Sequence, residues 1–378
     1  MDFDFLSPID DRLLAHNLML PEQVIGRNLR IHTQKDGIPE LTDVRVAVVS
    51  LEPRLVKGEP LHLRFRQQFY QLFVGNWDFT CADLGVLHSG DHPKDTLFAL
   101  KTLVKELHQR NILTVVVGGE QENTLGMFRG LSGMNTYVNL TSIDARFDFG
   151  EPGVLVSDDS YMSKIITEKP NNLKQFTNLG YQSYYVSQEE LDLMQKLFFD
   201  AYRLGDITAD LHESEPILRD TDILSVDLSS VKASELDDSK GLPNGFDGAQ
   251  ICKLMRYAGL SDRLSVLGVF NISDSLRTDQ LLAQMIWYVF EGYCHRVNEY
   301  PFSTHEVCTK FVVPQEQAAL IFYRSEKSQR WWIEVPKEGK HNNNDQVTLL
   351  PCAEKDYRLA QKGEIPSRWW KSVKRSMH

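Results

Sequence analysis

The chain has few of the features that mark secreted, membrane-spanning or disulfide-rich proteins. Only five of its 378 residues are cysteine, an odd number, and they are widely spaced with no CxxC pair. Scattered thiols of this kind favour reduced, buried cysteines in a cytoplasmic protein. No apolar run reaches about 18 residues, so no transmembrane helix is expected. The acidic N-terminus, MDFDFLSPID, lacks the basic and apolar regions of a signal peptide.

Positive charge is also in short supply. The chain has 41 lysines and arginines against 52 aspartates and glutamates, which gives a net charge of −11 and a sequence pI near 5.5. A broad basic face for nucleic acid is therefore not expected. The sequence has no P-loop, no Rossmann glycine fingerprint and no HExxH motif. We expect a cytoplasmic globular protein with no nucleic-acid partner and no membrane association.

Short apolar runs alternate with amphipathic segments along most of the chain. The apolar runs predict strands at residues 44–49, 112–117, 136–143, 183–186, 223–228 and 264–272. Apolar spacing of three and four predicts helices at residues 61–74, 96–109, 191–204, 249–258 and 278–297. A closing pair of strands is expected at 318–323 and 331–335. Continuous apolar strands that alternate with helices indicate a mostly parallel sheet covered on both faces.

Polar motifs follow four of the predicted strands. The segments read VVVGGEQEN, TSIDARFDFG, ILSVDLSSV and VLGVFNISD, and a loop GLPNGFDG at residues 241–248 precedes the last of them. In open α/β sheets the ligand site lies beyond the carboxyl ends of the strands. These four strand ends are therefore the candidate functional site.

Taken in order, the four segments resemble the ureohydrolase family, which includes arginase, agmatinase and formimidoylglutamase. The stretch IDARFDFG, followed by NLGYQSYYV, is most similar to the formimidoylglutamase branch. The resemblance extends from about residue 44 to 297 and implies a three-layer α/β/α fold with a mostly parallel sheet. It divides the chain into an N-terminal arm at 1–40, a ureohydrolase-like domain at 41–304 and a C-terminal extension at 305–378.

The resemblance also implies positions for metal ligands and for substrate recognition. Active members are similar in holding two manganese ions with the motifs GGDH, DAHxD and SxDxD. The matching positions in this chain, called here the former-ligand positions, are Gln121, Asp144, Arg146, Asp148, Asp227 and Ser229. Both histidines and one aspartate are thus replaced. The glutamate that would pair with a guanidinium or amidinium group falls at Asn271.

These replacements oppose a working metal centre. A two-metal hydrolase makes hydroxide at neutral pH between two cations, and each cation needs several anionic or imidazole ligands. A guanidinium has no lone pair to give and repels a dication. We expect Arg146 instead to balance Asp144, Asp148 or Asp227 in an ion-pair network. On this interpretation no residue is catalytic and no cofactor is bound.

Three functions remain open at this point. The first is a catalytically degenerate ureohydrolase-like protein with a binding or scaffolding role. The second is an active, manganese-dependent hydrolase of linear amidines, with one ion held by Asp144, Asp148 and Asp227. The third is a metal-free module that binds a small carboxylated or amino-acid-like ligand. We favour the first, because the missing histidines and Asn271 count against hydrolysis.

The C-terminus is basic and aromatic on an otherwise acidic chain. Its last eleven residues, RWWKSVKRSMH, contain Trp369 and Trp370, four lysines or arginines and no acid. Tryptophan and arginine are common in interfaces. We expect this tail to contact a neighbouring subunit or a protein partner, and the alternative is that it packs on its own chain. A homo-oligomer is implied by the family resemblance.

Overall fold

The computed structural model describes residues 3–52, 58–133, 137–150, 156–299, 308–316, 319–336 and 347–376. The strands are β1 Leu6–Ser7, β2 Leu29–Ile31, β3 Val44–Glu52, β4 Thr80–His88, β5 Leu113–Val117, β6 Val138–Ile143, β7 Leu173–Tyr181, β8 Asp200–Arg203, β9 Ile223–Asp227, β10 Val266–Phe270, β11 Cys308–Val313, β12 Leu320–Ser325, β13 Trp331–Pro336 and β14 Val347–Cys352.

The helices lie between these strands and after them. They are α1 Asp11–Leu18, α2 Ile25–Asn28, α3 Leu61–Phe69, α4 Pro93–Gln109, α5 Thr124–Ser132, α6 Tyr161–Thr167, α7 Gln188–Lys196, α8 Leu204–Ala209, α9 Ser214–Arg219, α10 Ala233–Leu236, α11 Gly248–Gly259, α12 Leu276–Cys294, α13 Glu354–Gln361 and α14 Ser367–Ser376. None of them, within the described ranges, is long and apolar enough to cross a membrane.

The first ten strands form one sheet in the order β1-β4-β3-β5-β10-β9-β6-β7-β8, and β2 also pairs with β4. The pairs along this sheet are parallel, apart from β1 with β4. The predicted mostly parallel sheet is therefore confirmed.

Helices cover both faces of this sheet. Neighbouring residues of β3 point to opposite faces, as the pleat requires. Val48 belongs to one core with Phe69 of α3 and Val289 of α12. Val49 belongs to the other core with Leu100 of α4 and further residues of α5. Burial on both faces explains why the central strands are continuous apolar runs rather than alternating ones.

Two nine-residue strands of the main sheet, β4 and β7, are missing from the sequence prediction. β4 reads TCADLGVLH and β7 reads LKQFTNLGY, so polar residues and glycine interrupt both. The strand predicted at 183–186 is wrong, because those residues form the turn that follows β7.

Two predicted helices are too long. The helix expected at 61–74 ends at Phe69, since residues 72 and 74 bond to the N-terminal arm: the Ile25 amide donates to the Leu72 carbonyl, and the Val74 amide donates to the Gln23 carbonyl. The helix expected at 191–204 ends at residue 196, and the chain then forms β8.

The last four strands form a separate antiparallel sheet in the order β11-β12-β13-β14. The predicted strand pair at 318–323 and 331–335 is confirmed as β12 and β13, although residue 318 lies outside the described residues. This sheet joins the main domain at Arg219, which lies 4.4 Å from the Trp332 ring and donates to the carbonyls of Trp331 and Cys352. The boundary proposed at 304/305 falls outside the described residues.

The C-terminal helix α14 packs on its own chain. Trp369 donates its indole N–H to the Glu334 carbonyl at 2.7 Å, and Arg375 donates to the Phe198 carbonyl at 2.7 Å. Lys371 pairs with Asp200 at 2.5 Å. These contacts bind Trp369, Lys371 and Arg375 to the rest of their own chain, and the expected contact of the tail with a subunit or partner stays a prediction. Trp370 is 48% exposed.

We therefore predict that deletion of residues 369–378 lowers the melting temperature and leaves the oligomeric state unchanged. The deletion removes the contacts of Trp369, Lys371 and Arg375 with the main domain and β13. A thermal melt with light scattering measures both quantities. The exposed Trp370→Ala is the control and should melt like the unmodified protein. A change of assembly without loss of stability would instead favour docking.

Candidate functional site

The four polar strand ends meet at one edge of the sheet. β5, β10, β9 and β6 are consecutive neighbours and run parallel, so their carboxyl ends coincide. Gln121 follows β5, Asn271 follows β10, Asp227 ends β9 and Asp144 follows β6. The register of the parallel strands therefore brings these residues to the same edge of the sheet.

Gln121 is buried at this edge and hydrogen-bonded to a neighbouring side chain. It lies in a single 3₁₀ turn, Gln121–Asn123, and is 1% exposed. Its side-chain N–H donates to the Ser225 hydroxyl at 3.3 Å, and that hydroxyl also bonds to Thr124 at 2.7 Å. A neutral amide held in this way supplies neither the charge nor the imidazole that a manganese ligand at this position would provide.

Asp227 is held by two donors. The Ser229 amide donates to one of its oxygens at 2.6 Å, and the Asn271 side-chain amide donates to the other at 3.1 Å. Asn271 has φ of +55°, in the left-handed region. Its backbone N–H donates to the Gly119 carbonyl at 3.0 Å. Asn271, where the family resemblance places the substrate-binding glutamate, is thus hydrogen-bonded to Asp227, one of the former-ligand positions.

Asp144 and Asp148 form a buried carboxyl pair. The Arg146 amide donates to Oδ1 of Asp144 at 2.9 Å. The Oδ2 atoms of both aspartates are buried and accept no hydrogen bond from the other described residues. Two carboxyl oxygens are therefore buried here without a donor.

The whole cluster favours the protonated state. Burial, and next the charge of Asp227, raise the pKa of Asp144 to about 7. Burial also raises the pKa of Asp227 and of Asp148, and the charge of Asp144 raises that of Asp148 further. Carboxylates that are buried together without a counter-charge bind protons instead.

Arg146 does not supply the counter-charge that the sequence analysis assigned to it. Its side chain is exposed, and its guanidinium carbon lies 5.0 Å from the centre of the Tyr185 ring. It makes no ion pair within 4 Å to any carboxylate in the described part of the chain. The expectation required an extended stretch, but the backbone turns after β6 and Asp148 has φ of +54°. Residues 144, 146 and 148 therefore do not share one side.

The former-ligand positions do not fit two manganese ions. Gln121 and Ser229 are neutral, and the guanidinium of Arg146 is turned to solvent. Among the residues that the structure describes, no three histidine, cysteine, aspartate or glutamate side chains are placed to hold a metal ion. The donor set that remains is three buried carboxyls that favour protons.

Two residues of this site were not singled out by the sequence analysis. Asp158 accepts a hydrogen bond from the Glu122 amide at 3.0 Å, and burial raises its pKa. Tyr161, at the start of α6, is fully buried; burial, and next the charges of Asp148 and Asp144, raise its pKa. Neither belongs to a strand-end motif, so only the folded chain brings them to the aspartates.

Comparison with known proteins shows the fold and a partial family match. Residues 50–233, just under half of the chain, match the sequence model of the arginase family. No curated protein matches the chain. The structure is similar to formiminoglutamase from Trypanosoma cruzi with Mn²⁺, at 14% identity and a TM-score of 0.62, over 72% of this chain and 99% of that one.

Two further solved structures show the same likeness. Formimidoylglutamase from Bacillus subtilis is 12% identical with a TM-score of 0.59, over 69% of this chain and 93% of that one. Agmatine ureohydrolase from Thermoplasma volcanium is 14% identical with a TM-score of 0.55, over 74% of this chain and 98% of that one. These likenesses confirm the arginase fold, to which this chain adds a C-terminal antiparallel sheet.

We predict that Arg146→Ala costs less than about 1 kcal/mol of stability at pH 7, because it removes only an exposed cation–π contact. The matched variant is Arg66→Ala in α3. Arg66 is fully buried and donates to both oxygens of the equally buried Asp83, at 2.8 and 2.7 Å. Its loss should cost about 3–5 kcal/mol. Denaturant titration measures both, and a large loss for Arg146→Ala would restore the ion-pair network.

The raised pKa of Asp144 predicts a pH-dependent stability. The folded state holds the proton up to about pH 7, whereas an unfolded aspartate loses it near its ordinary value of about 3.9. The contribution of Asp144 is therefore full below about pH 4 and is lost as the pH rises towards about 7. Asp144→Asn, which mimics the neutral acid, should gain stability relative to the unmodified protein over that window, on the order of 1–4 kcal/mol.

Denaturation midpoints of the two proteins between pH 4 and pH 8 measure this difference. Asp91→Asn, at an exposed position, is the control. Its stability should follow that of the unmodified protein at every pH. Parallel curves for Asp144→Asn would show that Asp144 is ionised in the folded state.

Proposed function

We propose that this protein, which has the arginase fold and matches the arginase family over residues 50–233, is a catalytically degenerate ureohydrolase-like protein with a binding or scaffolding role. The observation that carries the proposal is the state of the former-ligand positions. They present an amide, a hydroxyl and an outward guanidinium where the family resemblance requires two imidazoles and a carboxylate.

The hydrolytic mechanism has two requirements that this site does not support. A metal-activated water needs cations held by deprotonated ligands. The remaining Asp144, Asp148 and Asp227 all have raised pKa values, so protons compete with any cation for them. A cationic amidine also needs a carboxylate partner. At that position the amide of Asn271 is neutral and already bonded to Asp227.

A binding role is supported by what the fold retains. Buried hydrogen bonds still hold the turns at the carboxyl edge, although the ligands are gone. The C-terminal sheet and α14 meet the main domain at Asp200, which begins β8, and at Arg219, which precedes β9. These contacts are at the amino ends of the strands, opposite the carboxyl edge where the aspartates lie.

Manganese content tests the proposal. After dialysis into micromolar Mn²⁺ and removal of free metal, elemental analysis should find less than one ion per chain. The matched variant Gln121→His/Arg146→His/Ser229→Asp restores the donor types at three former-ligand positions and should bind more manganese than the unmodified protein. Two ions per unmodified chain would contradict the proposal.

An activity assay completes the same test. Arginine, agmatine and formimidoylglutamate should yield no urea or formamide above the buffer blank. Asp227→Asn is the control, since any true turnover at this site should disappear in it. Turnover by the unmodified protein that is lost in Asp227→Asn would establish the hydrolase alternative.

A further inference from the structure

A pocket lies at the carboxyl edge, on the β7 and β8 side of the aspartates. Its volume is about 500 Å³, within the range of small-molecule sites. Three segments line it: the turn after β7 at 181–184, the start of α8 with its preceding residue Arg203, and the loop that contains Asn244. Lys232 and Gln250 complete the wall. We call it the β7–β8 pocket.

Hydrogen bonds fix two walls of this pocket against each other. Gln182 is 4% exposed and donates to the Asn244 carbonyl at 3.0 Å, and the Asn244 amide donates to the Tyr184 hydroxyl at 3.2 Å. A Cβ on Gly245 would lie 2.5 Å from the Ser230 carbonyl oxygen, so only glycine allows the loop to approach this closely. The pocket is therefore preformed, which lowers the ordering cost of binding.

Two cations face the β7–β8 pocket. Arg203 uses its Nε to donate to the Tyr181 hydroxyl at 3.1 Å. Within the described ranges, neither Arg203 nor Lys232 forms an ion pair within 4 Å. Asp206 is the one carboxylate in the lining.

The pocket on the other side of Asn271 has the opposite character. It has a volume of about 320 Å³ and is lined by Glu52, Glu59 and Glu120 among others. Its single arginine, Arg64, is already paired with Asp274. An anion would therefore be repelled there and attracted to the β7–β8 pocket.

We propose that the β7–β8 pocket binds a small organic oxyanion, a carboxylate or a phosphate, held by the Arg203 guanidinium and the Lys232 ammonium. A guanidinium can bond to two oxygens of either group. The side chains of Gln250 and Thr208 line the same space and offer hydrogen bonds to the rest of the ligand. This inference rests on the binding role proposed above and assigns it to one site and one ligand class.

Isothermal titration and thermal shift at constant ionic strength test the assignment. The probes are glutarate and citrate as carboxylates, and inorganic phosphate and glycerol phosphate as phosphates. At least one class should bind and raise the melting temperature. Arg203→Gln and Lys232→Gln should each weaken that binding about tenfold, as expected for loss of a charge-assisted hydrogen bond. Arg358→Gln, on exposed α13, is the matched control and should bind like the unmodified protein.

Two results would overturn the assignment. One is no binding by any probe at millimolar concentration, and the other is equal binding by Arg203→Gln, Lys232→Gln and the control. The class of probe that binds more tightly, carboxylate or phosphate, identifies the chemical group that the pocket recognises. Anion binding that depends on Arg203, together with amidine turnover, would refute the proposed loss of catalysis and leave the pocket intact. If neither anion binding nor amidine turnover is found, only the assignment of an anion to this pocket is refuted.

Discussion

Three carboxyl groups are buried together at the carboxyl edge of this sheet without a counter-charge, and the structure of that edge depends on how they are stabilised. Four parallel strands end together there, and three of the residues they deliver are aspartates. In a low-dielectric setting such groups need a cation, donors or protons. This chain uses donors and protons. Ser229 and Asn271 donate to Asp227, and burial raises the pKa of Asp144 and of Asp148, so that both favour the protonated form.

The same protein balances a buried carboxylate differently elsewhere. Asp83 is fully buried in β4, and Arg66 meets it with two hydrogen bonds, which the Tyr70 hydroxyl supplements at 2.9 Å. That pair joins α3 to the sheet and sets a guanidinium directly against the buried carboxylate. The contrast matters for function. Protons on the aspartates compete with metal ions for the carboxyl groups. A guanidinium bonded to the same carboxylates would exclude the metal ions.

On the proposal that the metal chemistry is lost, the rest of the carboxyl edge can still serve recognition. The aspartate cluster is buried, while the β7–β8 pocket beside it is lined by Arg203 and Lys232, which form no ion pair within the described ranges. The C-terminal sheet is anchored at the opposite ends of the strands through Arg219 and Asp200. On this proposal the arginase fold keeps its carboxyl edge for binding without the hydrolytic centre.

The sequence alone determined the sheet class and the meeting of the strand ends. Apolar runs such as 112–117 and 223–228 are local signals, and parallel neighbours must end at one edge. Only the tertiary structure decided the direction of Arg146, the contacts of α14 and the existence of β4 and β7. These depend on where the backbone turns, as at Asp148, and on which distant residues, such as Tyr185 and Asp200, lie within reach. Neither the turn nor the distant partner is encoded by spacing along the chain.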